Sequence, residues 1–537
     1  MSVAAAQSRA GGYDCIVVGG GHNGLTCAAY LARAGRSVLV LEAAARLGGA
    51  AATREFAPGF RVSAGPQFLH LMPQALRAEL RLEAHGLKAA ASAVGTVALA
   101  SDGSALPIAG PLGSAHEPAA LAALAARSGN DAEAWPGFRR RLDRFAATLA
   151  PLIESTPPRL GSEAWSDRLA LLRLGWQVRR LGRRDMRELL RIIGMNVYDL
   201  LEEHFETALL KGALGFDAVL GVNFGPRSPG TVLTQLYRLA GESRAGYGGA
   251  IQVSGGLGAL SDALGAAARA AGATIRLGAK VARIDVAQDR ASGVVLDSGE
   301  RIAARAVISS ADPKSTFLRL LGAEHLDTGF VRKVSHLRTR GLAAKLHLAL
   351  DRAPAFSGLD PGRLGSRLVI APSLAYLEQA YDHSKYGECS AAPALEISVP
   401  TVADSALAPA GRHVLSAIVQ YVPYALAAGW AEGRQRCMDL AIDTLERHAP
   451  GLRRSIIAAE LLAPPDLERE FGITGGHWHH ADLALDQFYM VRPVPGATQY
   501  RTPVGGLYLC GAGCHPGGGV MGIAGRNAAH QLLADAA

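Results

Sequence analysis

The N-terminal fifty residues constrain this chain more than any other stretch. Cys15-Ile16-Val17-Val18 is a short continuous apolar run, as expected of a parallel strand buried on both faces. It leads directly into Gly19-Gly20-Gly21-His22-Asn23-Gly24, followed by Leu25, Ala28, Ala29, Leu31 and Ala32 at helical spacing. Gly35 ends that helix, and Val38-Leu39-Val40-Leu41 reads as a second strand closing on Glu42. Each glycine has a physical task. Gly19 permits the tight turn from strand to helix, Gly21 lets the backbone approach a pyrophosphate, and Gly24 lets the helix pack closely on the strand. The free N–H groups and positive end of the helix then face the phosphates. Glu42 stands 18 residues after Gly24, where a carboxylate accepts ribose hydroxyls and repels a 2′-phosphate. A bare glycine triplet carries little weight. Strand, glycines, helix, strand and acid in this order within about 30 residues predict a dinucleotide site that disfavours NADP.

The residues after Glu42 narrow the choice of dinucleotide. Arg46-Leu47-Gly48-Gly49-Ala50 takes the place of a third strand–helix unit. This extension resembles the FAD-binding fingerprint of glutathione-reductase-type flavoproteins, and the resemblance implies FAD contacts at Arg46 and Gly49. An NAD-dependent dehydrogenase is disfavoured accordingly. Far along the chain, residues 506–513 read as another buried strand ending in small residues, Gly511-Ala512-Gly513. His515-Pro516-Gly517-Gly518-Gly519 follows, and a helix is expected from Val520 and Met521 through Ala529 to Leu533. A second glycine-rich helix start offers N–H donors to the N1/O2 edge of a flavin and favours negative charge there. Gly511, Gly518, Gly519, Val520 and Met521 are therefore expected at the cofactor.

With these motifs the chain resembles the phytoene desaturase and carotenoid isomerase branch of the amine-oxidase-like flavoproteins. The matching stretches are 13–60, 248–313, 394–430 and 471–533. The runs Leu485-Asp486-Gln487, Arg492-Pro493-Val494-Pro495 and 509–520 are especially specific. The resemblance implies an α/β fold: a Rossmann-like FAD-binding domain assembled from separated pieces (12–75, 246–313 and 491–537), a helical cap segment (76–245), and a substrate domain with a mixed sheet and helices (314–490). It implies that the backbone at Val281 contacts the adenine, and that His70 follows a segment passing beside the isoalloxazine ring. The implied reaction is hydride transfer from a substrate C–H to flavin N5 on an apolar, unsaturated or isoprenoid-like small molecule, with oxygen or a quinone as electron acceptor. Two departures stand out. Ala512 occupies a position where many such flavoproteins place an acid that bonds the ribityl chain, and no redox-active cysteine pair is visible, which disfavours a disulfide reductase.

Composition excludes other classes. Half of the 537 residues are apolar (49%) and 19% are charged, which permits a large packed core and excludes a disordered chain. The formal charge of +8 is diffuse and no RNA- or DNA-binding motif accompanies it, so nucleic acid is not an expected partner. Six scattered cysteines support neither a disulfide framework nor a structural metal. The first twelve residues carry no secretory pattern. Residues 414–431 are interrupted by Gln420, Pro423 and Gly429, so they read as a buried strand running into a helix rather than a span. A cytoplasmic protein is expected.

The region 76–240 reads as largely helical. Within it, residues 165–191 carry eight arginines (Arg168, Arg173, Arg179, Arg180, Arg183, Arg184, Arg187 and Arg191) against Asp167, Asp185 and Glu188. Two readings stay open there: a basic amphipathic surface docking peripherally on anionic lipid, or a solvated face laced with salt bridges. Residues 343–350, 394–399 and 414–422 read as strands, and 437–448 and 467–471 as helices. Gly475-Gly476-His477-Trp478-His479-His480 invites a metal reading, but no carboxylate at helical spacing supports one. His70, His477 and His479 are the candidate catalytic or pocket-lining residues. Two rivals remain at this level: an amine oxidase, against which the low aromatic content (6%) counts, and a flavin-bearing regulatory or interaction protein with little turnover.

Overall fold

The strand Tyr13–Val18 sits at the centre of a parallel sheet. It pairs with Val38–Leu41 on one side and with Arg301–Ser309 on the other, Cys15 lying opposite both Val38 and Ala306. The computed structural model describes residues 12–100, 102–246 and 249–536; the N-terminal stretch read as lacking a secretory pattern lies almost wholly outside them. Thr274–Arg276 adds to the edge at Val38–Leu41, and Leu507–Leu509 to the edge at Arg301–Ser309. Three remote stretches thus build one five-stranded parallel sheet. Their uninterrupted apolar runs are explained by helices covering the sheet. The N-terminal half of Arg301–Ser309 turns aside to pair antiparallel with Arg290–Leu296, which pairs with Val281–Ala287.

The helix His22–Arg33 packs against Gly258–Ala270 and Ile523–Asp535. The close fit at its start depends on Gly24, where a Cβ would lie 2.2 Å from the Gly19 carbonyl oxygen. That matches the packing role expected from the sequence.

A second, mixed sheet has seven strands in the order Ile456–Leu462, Ala343–Leu350, His413–Gln420, Leu395–Ser398, Arg367–Ile370, Thr96–Leu99, Ala105–Ile108. On the strand Ala343–Leu350, the side chains of Ala344, Leu346, Leu348 and Leu350 join a core with Cys437, Ala441 and Leu445 of the helix Trp430–His448. Lys345 and His347 therefore point to the opposite face, towards the parallel-sheet layer.

Three expectations are corrected. The region 76–240 is not simply helical, because Ala89–Val94, Thr96–Leu99 and Ala105–Ile108 are strands. They lie in the Ala/Gly-rich stretch, where small side chains blur the alternation that marks a strand. The C-terminal helix begins at Ile523, after Gly522 at φ 74°, so Val520 and Met521 belong to the loop before it. Finally, Cys389 and Cys437 form a disulfide, their Cα atoms 5.7 Å apart, although 48 residues and an irregular spacing hide the pairing in the sequence. Among the described residues no helix is long and apolar enough to cross a membrane.

Candidate active site

A cavity of about 900 Å³ opens between the two sheets, near the upper end of the ~300–1,000 Å³ usual for small-molecule and cofactor sites. Its floor is the carboxyl end of the parallel sheet: Val18, Gly19, Gly21, Leu41 and Glu42. This is where open α/β sheets bind ligands. Glu42 is largely engaged locally, its carboxylate accepting the N–H of Gly20 (2.6 Å) and of Ala44 (2.8 Å), so it braces the glycine turn while its remaining lone pairs face the cavity. Gly49 and the exposed Arg46 line the same space, as does Val281 with its neighbours Lys280 and Ala282.

The two remote glycine-rich segments converge here. Gly519, Val520 and Ala512 line the cavity alongside Gly21 and His22. Gly24, Gly511, Gly518 and Met521 stand behind the wall. A Cβ on Gly511 would lie 2.4 Å from the Ser310 carbonyl oxygen, and one on Gly518 would lie 2.3 Å from Nδ1 of His479. The Gly518 carbonyl accepts from the Tyr237 hydroxyl (2.7 Å), which also reaches Met521 Sδ at 3.7 Å.

The histidines divide in the same way. His70 and His479 line the cavity, whereas His477 is fully buried behind it. Nε2 of His477 lies 2.7 Å from Asp482 Oδ1, and its Nδ1 accepts the backbone N–H of His479 at 3.2 Å. That pair of contacts leaves the proton on Nε2. His22 and His480, neither of them among the expected catalytic residues, also line the cavity; neither the glycine loop nor a run of adjacent histidines shows which ring points inward. Burial pulls His22, His70 and His480 down to about 4 and His479 to about 3. All four are neutral at physiological pH.

On the opposite wall the charged groups are paired with one another. Arg367 spans Glu396 (2.6 Å) and Asp217 (2.5 Å), and Arg238 reaches Asp217 at 3.6 Å and Glu242 at 3.0 Å. Arg367 and Asp217 are 150 residues apart, and no local pattern announces the cluster. Leu71, Ala218, Leu220, Val222, Ile418 and Leu483 supply apolar surface beside Gln67, Thr234 and Tyr237.

Two features show that the site suits a large polar–aromatic cofactor such as FAD. A Cβ on Gly21 would meet nothing within 4 Å, so the backbone at the helix N-terminus is open for close approach. Four buried polar atoms on side chains that line this cavity lack any hydrogen-bond partner within the described residues: His22 Nε2, Trp478 Nε1, His479 Nδ1 and His480 Nδ1. Unsatisfied buried groups in such number call for a bound partner.

Comparison with known proteins agrees with this geometry. The family of flavin containing amine oxidoreductases matches residues 24–533. Mouse pyridine nucleotide-disulfide oxidoreductase domain-containing protein 2 is 38% identical over 561 aligned residues, covering 99% of this chain and 96% of the mouse protein. A lycopene-forming phytoene desaturase of Pseudescherichia vulneris is 27% identical over 72% of this chain and 73% of its own length. Among solved structures, putrescine oxidase bound to putrescine superposes with a TM-score of 0.59 at 17% identity, covering 97% of this chain and 99% of that one, which shows a shared fold. The chain is an FAD-dependent oxidoreductase and belongs to the flavin containing amine oxidoreductases.

Proposed function

We propose that the protein dehydrogenates an apolar, isoprenoid-like small molecule held in the chamber under the mixed sheet. The observation that carries this reading is the chamber's character. Its free surface is mostly apolar, its carboxylates are each held by an arginine, and the histidines facing it are uncharged. A substrate with a fixed charge would find no unpaired counter-ion there. The phytoene desaturase among the relatives acts on a substrate of the class that such a chamber suits.

In this reading Gly19, Gly21 and Gly49 admit the diphosphate to the backbone, Glu42 holds the ribose, Arg46 pairs with phosphate at the rim, and the backbone at Val281 meets the adenine. Gly519 and Val520 border the flavin end. FAD held there would supply a two-electron acceptor for the hydride of the substrate C–H, with oxygen or a quinone as the final electron acceptor. The chain's own work is to exclude water, to align the substrate along Leu71, Leu220, Ile418 and Leu483, and to keep the chamber neutral. A hydrogen on the adjacent carbon leaves as a proton, so the products are a carbon–carbon double bond and H⁺. The His479 ring lines the chamber and is the candidate carrier for that proton, and its low basicity passes the proton on rather than storing it.

Anaerobic titration of the purified flavoprotein tests this reading. Bleaching of the flavin absorbance by an isoprenoid hydrocarbon such as phytoene, and not by putrescine or other amines, is the expected result. Bleaching by amines alone, with an imine product, overturns it.

A further inference from the structure

The helix Trp165–Arg180 carries two apolar faces where a surface helix needs one. Leu171, Leu174 and Val178 are half-buried against the body, on the side where Asp167 is buried and accepts from Gln499 (3.0 Å) and Arg159 (3.3 Å). Trp165, Leu169, Leu172 and Trp176 point the other way, 73%, 47%, 67% and 59% exposed. At 3.6 residues per turn these four lie within about 60° of one another around the axis, a single stripe two turns and more in length. Arg168 and Arg179 flank it on one side, and Arg173 and Arg180 on the other. The next helix, Gly182–Ile192, adds exposed Arg183, Arg184 and Arg187, with Leu190 63% exposed. None of these seven arginines forms an ion pair with a carboxylate among the described residues; Asp185 and Glu188 are taken by Arg144 and Arg191. Arg168 lies over the Trp165 ring (5.7 Å) and Arg180 over the Trp176 ring (4.6 Å).

We propose that this face docks on an anionic lipid bilayer, with the Trp-Leu-Leu-Trp stripe entering the headgroup–acyl boundary and the arginines pairing with lipid phosphates. Charge decides among the occupants an apolar stripe admits. A second copy of the chain would bring the same unpaired arginines against these across a two-fold axis, and like charges would oppose the contact. An anionic bilayer offers hydrocarbon for the stripe and phosphate for the guanidiniums together. Tryptophans suit that boundary because the ring is apolar and its N–H is wet, while the arginine stems lie along the hydrocarbon with their heads in the headgroups. The inference goes beyond the proposed reaction and does not depend on it.

The test uses the full-length FAD-loaded protein and involves no substrate. In flotation assays it should associate with vesicles of phosphatidylcholine mixed with phosphatidylglycerol, far less with phosphatidylcholine alone, and less as salt is raised. Brominated acyl chains should quench its tryptophan fluorescence, a readout that needs no variant. Trp165→Ser with Trp176→Ser, and separately Arg168→Gln with Arg179→Gln and Arg183→Gln, should each lower the partition coefficient at least about tenfold. Flavin absorbance and melting temperature should stay unchanged, since all these side chains are exposed. Failure of the unaltered protein to float with anionic vesicles, or equal flotation of both variants, overturns the proposal. So does a dimer in solution that the tryptophan substitutions convert to monomer.

Discussion

Nε2 of His477 lies 2.7 Å from the Asp482 carboxylate, and both side chains are buried just behind the cavity wall. Burial alone would raise the Asp482 carboxyl. The His477 ring beside it, their hydrogen bond and the Asn223 N–H outweigh burial and hold it below the usual carboxylate range. The pair therefore fixes the His477 tautomer, and Nδ1 of that ring fixes the backbone of His479. Asp482→Asn should cost about 1–3 kcal/mol at neutral pH. The sign of the pH dependence follows from a folded-state value below the unfolded one: the contribution is present above the ordinary carboxylate range of about 4 and is lost as pH falls through the lowered value. Melting curves of the two proteins should be separated at pH 7 and converge in acid. A gap that persists unchanged into acid would show that the carboxylate's charge is not what stabilises the loop.

Gly21 separates cofactor binding from folding. Its φ of −72° is open to any residue, and a Cβ there meets no atom within 4 Å. Gly21→Val should leave the unfolding free energy of the cofactor-free protein within about 0.5 kcal/mol of the parent. It should nevertheless remove the bound flavin, because the added side chain fills the space where the diphosphate approaches the backbone. Visible absorbance of the purified variant is the measurement. A yellow Gly21→Val protein would move the phosphate site elsewhere.

Arg492 is fully buried, and its guanidinium donates to six backbone carbonyls rather than to a carboxylate. Those of His479, Ala481, Asp482 and Gln487 lie on the histidine loop, and those of Ala512 and Cys514 on the turn after the last strand. One side chain thus ties two walls of the cavity together. Burial pulls it down to about 10, so it stays cationic at neutral pH. Arg492→Met should destabilise the fold by at least about 3 kcal/mol, since it strands buried carbonyls. Arg492→Lys should recover little of that loss, because three donors on a flexible stem cannot reach six acceptors in a fixed fan. Denaturant unfolding of both variants measures the difference.

How much of this was legible in the sequence depends on the range of the signal. The strand at Cys15–Val18, its glycine turn and the strand at Val38–Leu41 were readable because continuous burial writes itself as continuous hydrophobicity. The return of the chain near Gly519 was readable because a buried strand and a glycine run lie side by side. The strands at Thr96–Leu99 and Ala105–Ile108 were not, since alanine and glycine fit helix, strand and loop alike. In the run His477 to His480 composition suggested a pocket, yet a loop has no periodicity to say that His479 and His480 face inward while His477 stands behind. The Asp217–Arg367–Glu396 cluster is invisible for a simpler reason: its members meet only through the packing of the second sheet.

Lys345 gives the most direct test of that packing. It is fully buried on the strand Ala343–Leu350, opposite the face that packs on the helix Trp430–His448, and its Nζ has no hydrogen-bond partner within the described residues. Burial lowers it to about 7, against a smaller opposing pull from Glu396. The unfolded chain holds this proton until about pH 10.4, so between about 7 and 10 the unfolded state binds more protons than the folded one, and stability rises with pH across that window. Below it, folding carries the full cost of burying an ammonium group. Lys345→Met, similar in length and without charge, should therefore be more stable than the parent at pH 6 to 7, and its advantage should shrink as pH approaches 10. Glu396 keeps its partner in the variant, because Arg367 remains 2.6 Å away. Equal melting temperatures at pH 6, or an advantage that does not change with pH, would show that Lys345 is solvated or paired and that this face of the sheet is wetter than its burial implies.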